Sequence, residues 1–408
     1  MSFQIKLAVF LTLAACASRA EDWPQFLGPT RNGVYPGTNL ATTWPKGGPS
    51  TLWKKEIGQG FSGPVGASGK LIIFHRIESK ETVECLDAAT GKRIWVFDYP
   101  TSYRDDFGFD EGPRATPAIA NGRVYAYGAE GKLHCVDFSS GKKLWGMDAQ
   151  KEFGAKKGFF GIVCSPLVEG KLVLLDVGGT KAGIVAFDRE TGSVVWQTAA
   201  ADASYSSPTA ASIGGKRYAF FFTREGLTAL EVGNGKVTWE FPWRPSIDAS
   251  VNAATPLVIG DLIFISTSYG RGAALLQFGD SKPTPVWSGD DMLSNHYATS
   301  VHHRGFLYGY HGRQEYGCEL RCVELASGKV MWNVERFGAG TVMVAGEDLL
   351  LLTEKGELIK APASSKEFKP VSRGQITGFE ARAYPALSDG LFFARSRKQL
   401  VCVDLRAR

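Results

Sequence analysis

An eleven-residue pattern, CLDAATGKRIW at residues 85–95, returns as CVDFSSGKKLW (135–145), AFDRETGSVVW (186–196), ALEVGNGKVTW (229–239) and CVELASGKVMW (322–332). In every copy a small residue stands ten positions before a tryptophan and a glycine four positions before it. Such self-similarity restricts the chain to architectures in which one supersecondary unit is stacked or ringed, because a single unit cannot bury its own apolar face.

Each copy reads as a hairpin: a short strand, a turn carrying a carboxylate and a glycine, and a second strand ending on tryptophan. A glycine in the turn supplies the positive φ of a tight hairpin or G1 bulge. Upstream lies another strand signal (GKLIIF at 69–74, GRVYAY at 122–127, GKLVLL at 170–175, GDLIFI at 260–265). Before that comes a short element at Thr116-Pro117, Ser165-Pro166, Ser207-Pro208 or Thr255-Pro256. One period is therefore four strands, A to D, which is the signature of a propeller blade. Two degenerate copies end on Trp287 (with two extra residues) and on Phe368, so the outer-strand residues run Trp53, Trp95, Trp145, Trp196, Trp239, Trp287, Trp332 and Phe368, about 45 residues apart on average. The expected fold is an all-β, eight-bladed β-propeller of four-stranded antiparallel blades. Trp53 has no inner strands before it and the last pattern, Cys402 to Leu405, breaks off before its turn. Each supplies what the other lacks, so the N-terminal strand is expected to close the ring and remove its open sheet edge.

The repeat overrides the prior of two or three domains that 408 residues would suggest. The expected organisation is a targeting segment over 1–20, a Gly-, Pro- and aromatic-rich wrap over 21–50 pinned by Trp23, Phe26 and Trp44, and the propeller over 51–408. The first twenty residues carry Lys6, an apolar run from Leu7 to Ala15 and a small-x-small site at Ser18-Arg19-Ala20. Leu13-Ala14-Ala15-Cys16 also has the form of a bacterial lipobox, with Cys16 as a lipid anchor. Both readings export the protein, to the periplasm or the outer membrane, and they differ in whether it is soluble or anchored.

Export permits disulfides, but Cys85, Cys135, Cys322 and Cys402 occupy one repeat position on different blades, too far apart for the ~5.5 Å between Cα atoms that a bridge needs. They read as small buried residues, and Cys164 has no evident partner. A net charge of +5, or +3 without Lys6 and Arg19, is too slight to indicate nucleic acid. Arg395, Arg397, Lys398, Arg406 and Arg408 read as solvated surface.

Chemistry, if present, belongs on the face where the D-to-A connections and B-to-C turns surround the channel mouth. Three connectors there are long: YPTSYRDDFGFDEGPR (99–114), MDAQKEFGAKKGFFG (147–161) and FPWRPSIDASVN (241–252). Long loops on a rigid ring suit recognition. Residues just before the SP or TP elements should point into the mouth: Arg114, Tyr205, Asn252, His296, Tyr297 and Arg382. Such a ring could hold a small anion or a peptide, yet channel-lining polar side chains more often bind only water. Asp105, Asp106, Asp110 and Glu111 lack the spacing of a calcium loop and read as a solvated acidic loop. His75 and His134 lie inside repeat strands, His302 and His303 alternate across one, and there is no zinc spacing, P-loop, G-x-S-x-G or dinucleotide fingerprint. No catalytic or metal-ligating residue is identified.

The repeat A/C-x-D-x-x-T/S-G-x-x-x-W resembles the tryptophan-docking motif of the pyrroloquinoline-quinone (PQQ) propeller repeat family. In that motif Trp53, Trp95, Trp145, Trp196, Trp239, Trp287 and Trp332 are the docking residues. The opening DWPQFLGPTRNGV (22–34), with PRATPAI (113–119), SYSSPTA (204–210) and VNAATPL (251–257), is similar to the exported members of that family. Two branches imply different functions. Quinoprotein alcohol dehydrogenases hold PQQ and Ca²⁺ with a catalytic Asp and Glu and Asn ligands, and usually carry an adjacent-cysteine disulfide. This chain has no Cys-Cys pair and places no Asp on their catalytic motif. The outer-membrane β-barrel assembly lipoprotein is a non-enzymatic scaffold of similar length. The resemblance thus implies a cofactor-free envelope scaffold that is monomeric and takes an envelope protein or small ligand on the D-to-A face. The alternative it implies is a PQQ-dependent alcohol dehydrogenase-like oxidoreductase.

Overall fold

The computed structural model describes residues 21–407, so the targeting segment with Cys16 lies outside the described residues. Eight antiparallel sheets hold nearly all the regular structure, with one short helix, Ala149–Phe153, and one 3-10 turn, Gln314–Tyr316, beside them. Blades 1 to 7 occupy residues 65–100, 118–148, 167–197, 209–242, 257–289, 301–334 and 340–375. Blade 8 is composite: its three inner strands, Ala386–Ser388, Leu391–Arg395 and Gln399–Asp404, come from the end of the chain, and Ser50–Glu56 pairs antiparallel with the last of them. The orphan strand and the truncated repeat complete one another, as their spacing predicts. First strands of neighbouring blades touch one another, so they form the wall of the central channel.

The tryptophans explain the period. All but one stand directly across from the small residue of strand C, as in Cys85 with Trp95, Ala186 with Trp196 and Cys402 with Trp53; Trp287 faces Leu275 instead. The strand bulges just before the tryptophan, which turns the preceding apolar residue outward: Leu52, Ile94, Leu144, Val195 and Val286 are all exposed. The indole then reaches the next blade. Trp53 Nε1 donates to Ala88 O, Trp95 to Phe138 O, Trp145 to Arg189 O and Trp196 to Val232 O, each at 3.0 Å. Trp287 donates to Leu325 O at 2.7 Å and Trp332 to Ser364 O at 2.8 Å. Trp239 is the exception: its buried Nε1 has no partner, and Phe278 packs against the ring at 5.6 Å. The hairpin that should supply its acceptor is the one lengthened by two residues before Trp287.

In blades 1, 2, 3, 4 and 6 the turn glycine (Gly91, Gly141, Gly192, Gly235 and Gly328) lies beneath the indole of the blade before it. A Cβ at Gly141, where φ is 73°, would sit 2.5 Å from Trp95 Cε3. Position 141 therefore demands glycine twice, for backbone conformation and for contact between blades. Phe368 does not stand on an outer strand as the spacing predicts. The fourth strand of blade 7 is Ser372–Gln375, and Phe368 lies in the preceding loop with its ring 5.8 Å from Trp332 and 5.6 Å from Phe337. It fills the space beside the last docking tryptophan without taking that role.

The N-terminal segment runs inside the ring as well as around it. Trp23 bridges to Gly66 on the inner strand of blade 1, and Pro24 O accepts from Ile119 N on that of blade 2. Phe26 meets Tyr384 ahead of blade 8, and Arg31 donates to Pro166 O at 2.9 Å and Ser165 O at 3.2 Å at the start of blade 3. Val34–Tyr35 then adds to the inner edge of blade 7 as a parallel fifth strand. Residues 21–35 thus fill the channel and tie five blades together, and the segment emerges to lay Leu40 against Arg406 and Trp44 N on Ser372 Oγ. Arg31 is fully buried, which lowers its guanidinium to about 10.

Arg395 corrects the surface reading of the C-terminal arginines. It is 1% exposed and donates to Gly58 O at 2.9 Å, with longer contacts to the carbonyls of Ser62 and Phe74, so it fastens blade 8 to blade 1. The six described cysteines are free and buried.

Candidate binding face at the mouth of the channel

The connector between blades 1 and 2 is organised by one carboxylate. Asp105 accepts from the N–H groups of Phe107 (3.0 Å), Phe109 (3.1 Å) and Asp110 (3.0 Å), and from Arg114 Nη2 (3.1 Å). Its burial would raise the carboxyl, but the backbone donors of Phe107 and Asp110 together with Arg114 outweigh that and hold it below the ordinary aspartate range. The acidic loop is therefore not a solvated one: Asp105 and Asp110 are buried, Asp106 pairs with Lys157, and Glu111 pairs with Arg104 and Arg76.

Five of the six residues expected at the mouth form a continuous chain of contacts. Arg114 donates to Phe160 O at 3.0 Å and lies over the rings of Phe160 and Phe61 at 5.4 and 5.5 Å. Tyr205 Oη accepts from Phe160 N at 3.0 Å. Across the mouth, Arg382 also lies over Phe61, at 5.9 Å, and its Nε is 2.9 Å from Glu354 Oε1, which accepts from Tyr297 Oη at 2.7 Å. His296 meets Tyr297 at 6.0 Å between rings and pairs with Tyr269 Oη at 2.9 Å. Burial first, then Arg313 and Arg382, keeps the His296 imidazole below its ordinary range against the opposing pull of Glu315. Asn252 differs. It is fully buried, and its amide donates to Thr223 O (2.9 Å) and Trp243 O (3.1 Å), so it holds two loops instead of facing the mouth.

Phe61, Phe160 and Glu354 are the members that sequence reasoning missed. Glu354 sits in a B-to-C turn and the two phenylalanines in connectors, and no repeat position marks them. A stronger feature of the same face lies largely in the long aromatic connectors that suit recognition. Phe107, Phe109, Phe159, Tyr316 and Phe379 are the exposed large aromatic side chains among the described residues, and every one lies in a D-to-A connector or a B-to-C turn. Among the described residues the opposite face of the ring has none.

The family's PQQ and Ca²⁺ would have to be held by the carboxylates at this mouth. A calcium site needs several uncommitted carboxylate or carbonyl oxygens, whereas Asp105, Asp106, Glu111 and Glu354 are each engaged by a cation or by backbone donors, and Asp110, which accepts from Gly112 N on Oδ1, adds a single buried unpartnered oxygen, Oδ2. Among the described residues no group of three His, Cys, Asp or Glu side chains is placed to hold a metal. The residues present do not fit that group.

The comparisons with known proteins agree with this architecture. The model of the family described as outer membrane protein assembly factor BamB matches residues 79–334. The dehydrogenase subunit of the quinone alcohol dehydrogenase of Gluconacetobacter polyoxogenes is 26% identical over 231 residues, covering 49% of this chain and 30% of that protein. The chain thus spans less than a third of that dehydrogenase. BamB of Shewanella oneidensis is 22% identical over 321 residues, 76% of this chain and 67% of that protein. Among solved structures, BamB from Moraxella catarrhalis superposes with a TM-score of 0.64 at 14% identity, covering 88% of this chain and 98% of that one. With well over half of its length matched by the family model, and with the eight-bladed fold to accompany it, the chain belongs to the PQQ-repeat propeller family described as outer membrane protein assembly factor BamB.

Proposed function

We propose that this protein is a non-enzymatic scaffold of the cell envelope that docks a partner protein on its D-to-A face. The observation that carries the reading is the one-sided distribution of exposed aromatics, since a cluster of apolar side chains left in water marks an interaction surface. Phe107, Phe109 and Phe159 form its centre, with Phe107 6.1 Å from each of the other two rings, and Arg104 and Lys156 are exposed beside them. Aromatic side chains, phenylalanine among them, and arginine are enriched at protein interfaces. The relatives named as assembly factors support an envelope setting, and the N-terminal segment lying along the inner strands, with Asp105, Asp106, Glu111 and Glu354 each paired to a cation, supports a scaffold over an oxidoreductase.

The test pairs two measurements. Immobilised protein is expected to retain a discrete partner from envelope extracts, and Phe107→Asp with Phe159→Asp to lose it without a change in melting temperature. Protein mixed with PQQ and Ca²⁺ is expected to show no dye-linked alcohol oxidation. Oxidation that Asp106→Asn or Glu111→Gln abolishes refutes the scaffold reading and establishes the dehydrogenase alternative, which the quinoprotein relatives favour.

A further inference from the structure

One cleft on the mouth face has features that partner docking does not explain. It has a volume of about 350 Å³ and lies between the connectors that follow blades 2, 3 and 4, with Phe159, Asp202, Arg224, Asp248 and Ser250 in its walls. A smaller chamber of about 40 Å³ shares Lys156, Gly158, Ala203, Ser204 and Tyr205 with it and is lined further by Lys157, Ile162, Cys164, Asp176 and Val177. The chamber is thus the inner end of the cleft, with room for a head group the size of a few waters, about 10–15 Å³ being enough for one.

Asp176 is 2% exposed, and its Oδ1 has no hydrogen-bond partner. The cations nearby are already committed. Lys156 Nζ is 2.6 Å from Asp202, Lys157 pairs with Asp106, and Arg224 Nη2 donates to Asp248 O at 2.6 Å and Nη1 to Ser250 Oγ at 3.0 Å. Arg31, behind Cys164, gives Nη1 and Nη2 to the carbonyls of Pro166 and Ser165, with its buried Nε unpartnered. The other titratable neighbours, Cys164, Tyr127 and Tyr205, are neutral: burial pushes the Cys164 thiol up to about 12 and the Tyr127 and Tyr205 phenols above their ordinary range. A buried carboxylate oxygen without a counter-charge, at the end of a cleft with aromatic walls, is complementary to a small cation that donates hydrogen bonds.

We propose that this cleft binds a primary ammonium group, seated in the inner chamber against Asp176 and flanked by Tyr205, with the attached alkyl chain leaving past Phe159. A free alkylamine and a lysine side chain offer the same head group. The inference does not rest on the scaffold reading, since the cleft would take amines whether or not a partner docks on the aromatic cluster. Burial holds the Asp176 carboxyl up at about 7. Binding should therefore weaken about thirty-fold between pH 8 and pH 5.5, as the carboxylate is protonated while the amine stays charged.

The test is calorimetric titration of the full exported chain with n-butylamine and with Nα-acetyl-lysine N-methylamide, using n-butanol and the Nε-acetylated lysine derivative as neutral counterparts. Saturable one-to-one binding of an amine at pH 8, absent for its neutral counterpart, is expected. Asp176→Asn should weaken it at least ten-fold. Equal affinity for the two amines identifies a site for free amines, and tighter binding of the lysine derivative identifies a site for a polypeptide side chain. Overturning results are no saturable binding of either amine at millimolar concentration (a chamber that holds water only), equal binding of the neutral counterparts, or unchanged affinity in Asp176→Asn. Should that variant fail to fold, the pH profile and the neutral counterparts on the wild-type protein decide alone.

Discussion

Gly141→Ala compared with Gly122→Ala isolates the contact that sets the repeat. Both glycines sit in turns of blade 2 with nearly the same backbone, φ 73° and 72°, so alanine meets the same left-handed penalty at each, about 1–2 kcal/mol. They differ in what the new methyl meets. At Gly122 there is nothing within 4 Å, whereas at Gly141 the Cβ would lie 2.5 Å from Trp95 Cε3 and 2.7 Å from Cδ2. These are atoms of a fixed ring on the neighbouring blade, so either the indole or the turn must move. Overpacking of this kind costs about 1–3 kcal/mol. Moving the indole also weakens the 3.0 Å bond from Trp95 Nε1 to Phe138 O, worth about 1 kcal/mol. The expected losses are about 1–2 kcal/mol for Gly122→Ala and about 3–6 kcal/mol for Gly141→Ala. Urea unfolding followed by tryptophan fluorescence measures both, and only Gly141→Ala should alter the emission of the native state. Equal losses within about 0.5 kcal/mol would show that the turn needs its glycine for φ alone and that the indole contact is incidental.

Two further outcomes follow from the same structure. Trp196→Phe should cost about 1 kcal/mol more than Trp239→Phe by urea unfolding, because it removes a hydrogen bond to Val232 O while the Trp239 indole has none to lose; equal costs would contradict the geometry. Asp176 should make stability pH-dependent. Its folded-state value of about 7 lies above its ordinary 3.8, so the native state binds the proton more tightly, and stability is highest below about 4, falls as pH rises towards 7 and is level above. Asp176→Asn should remove that slope, and parallel pH profiles for the two proteins would contradict it.

Much of this molecule was legible because a propeller repeats its packing problem. The small residue, glycine and tryptophan recur at fixed intervals because each blade must meet its neighbour in the same way, and that interval yields the blade count, the strand order and the composite eighth blade. Prediction failed where the repeat is interrupted. The longer hairpin before Trp287 is visible in the sequence, but its effect, an indole of the preceding blade left without an acceptor, is not. Phe368 satisfies the spacing and yet lies off the strand, because blade 7 reaches its fourth strand by a longer loop.

The mouth was half legible. Counting back from the SP and TP elements located Arg114, Tyr205, His296, Tyr297 and Arg382, since blade geometry sets where those positions point. It misplaced Asn252, whose amide is taken by two backbone carbonyls. A carboxylate closing an apolar strand, as in LVLLD at 172–176, was a visible signal for Asp176.

Residues close in sequence determined the ring, because the hairpin, its turn glycine and its tryptophan act over a dozen positions and repeat. Tertiary structure alone decided what fills the ring and what the mouth presents. Residues 21–35 thread the channel because they find the unpaired edge of blade 7 and the carbonyls of blade 3, more than a hundred residues away. Asp105 is buried and Asp176 left without a counter-ion for a like reason: the charge a side chain meets is set by loops from other blades, and their approach has no period to read.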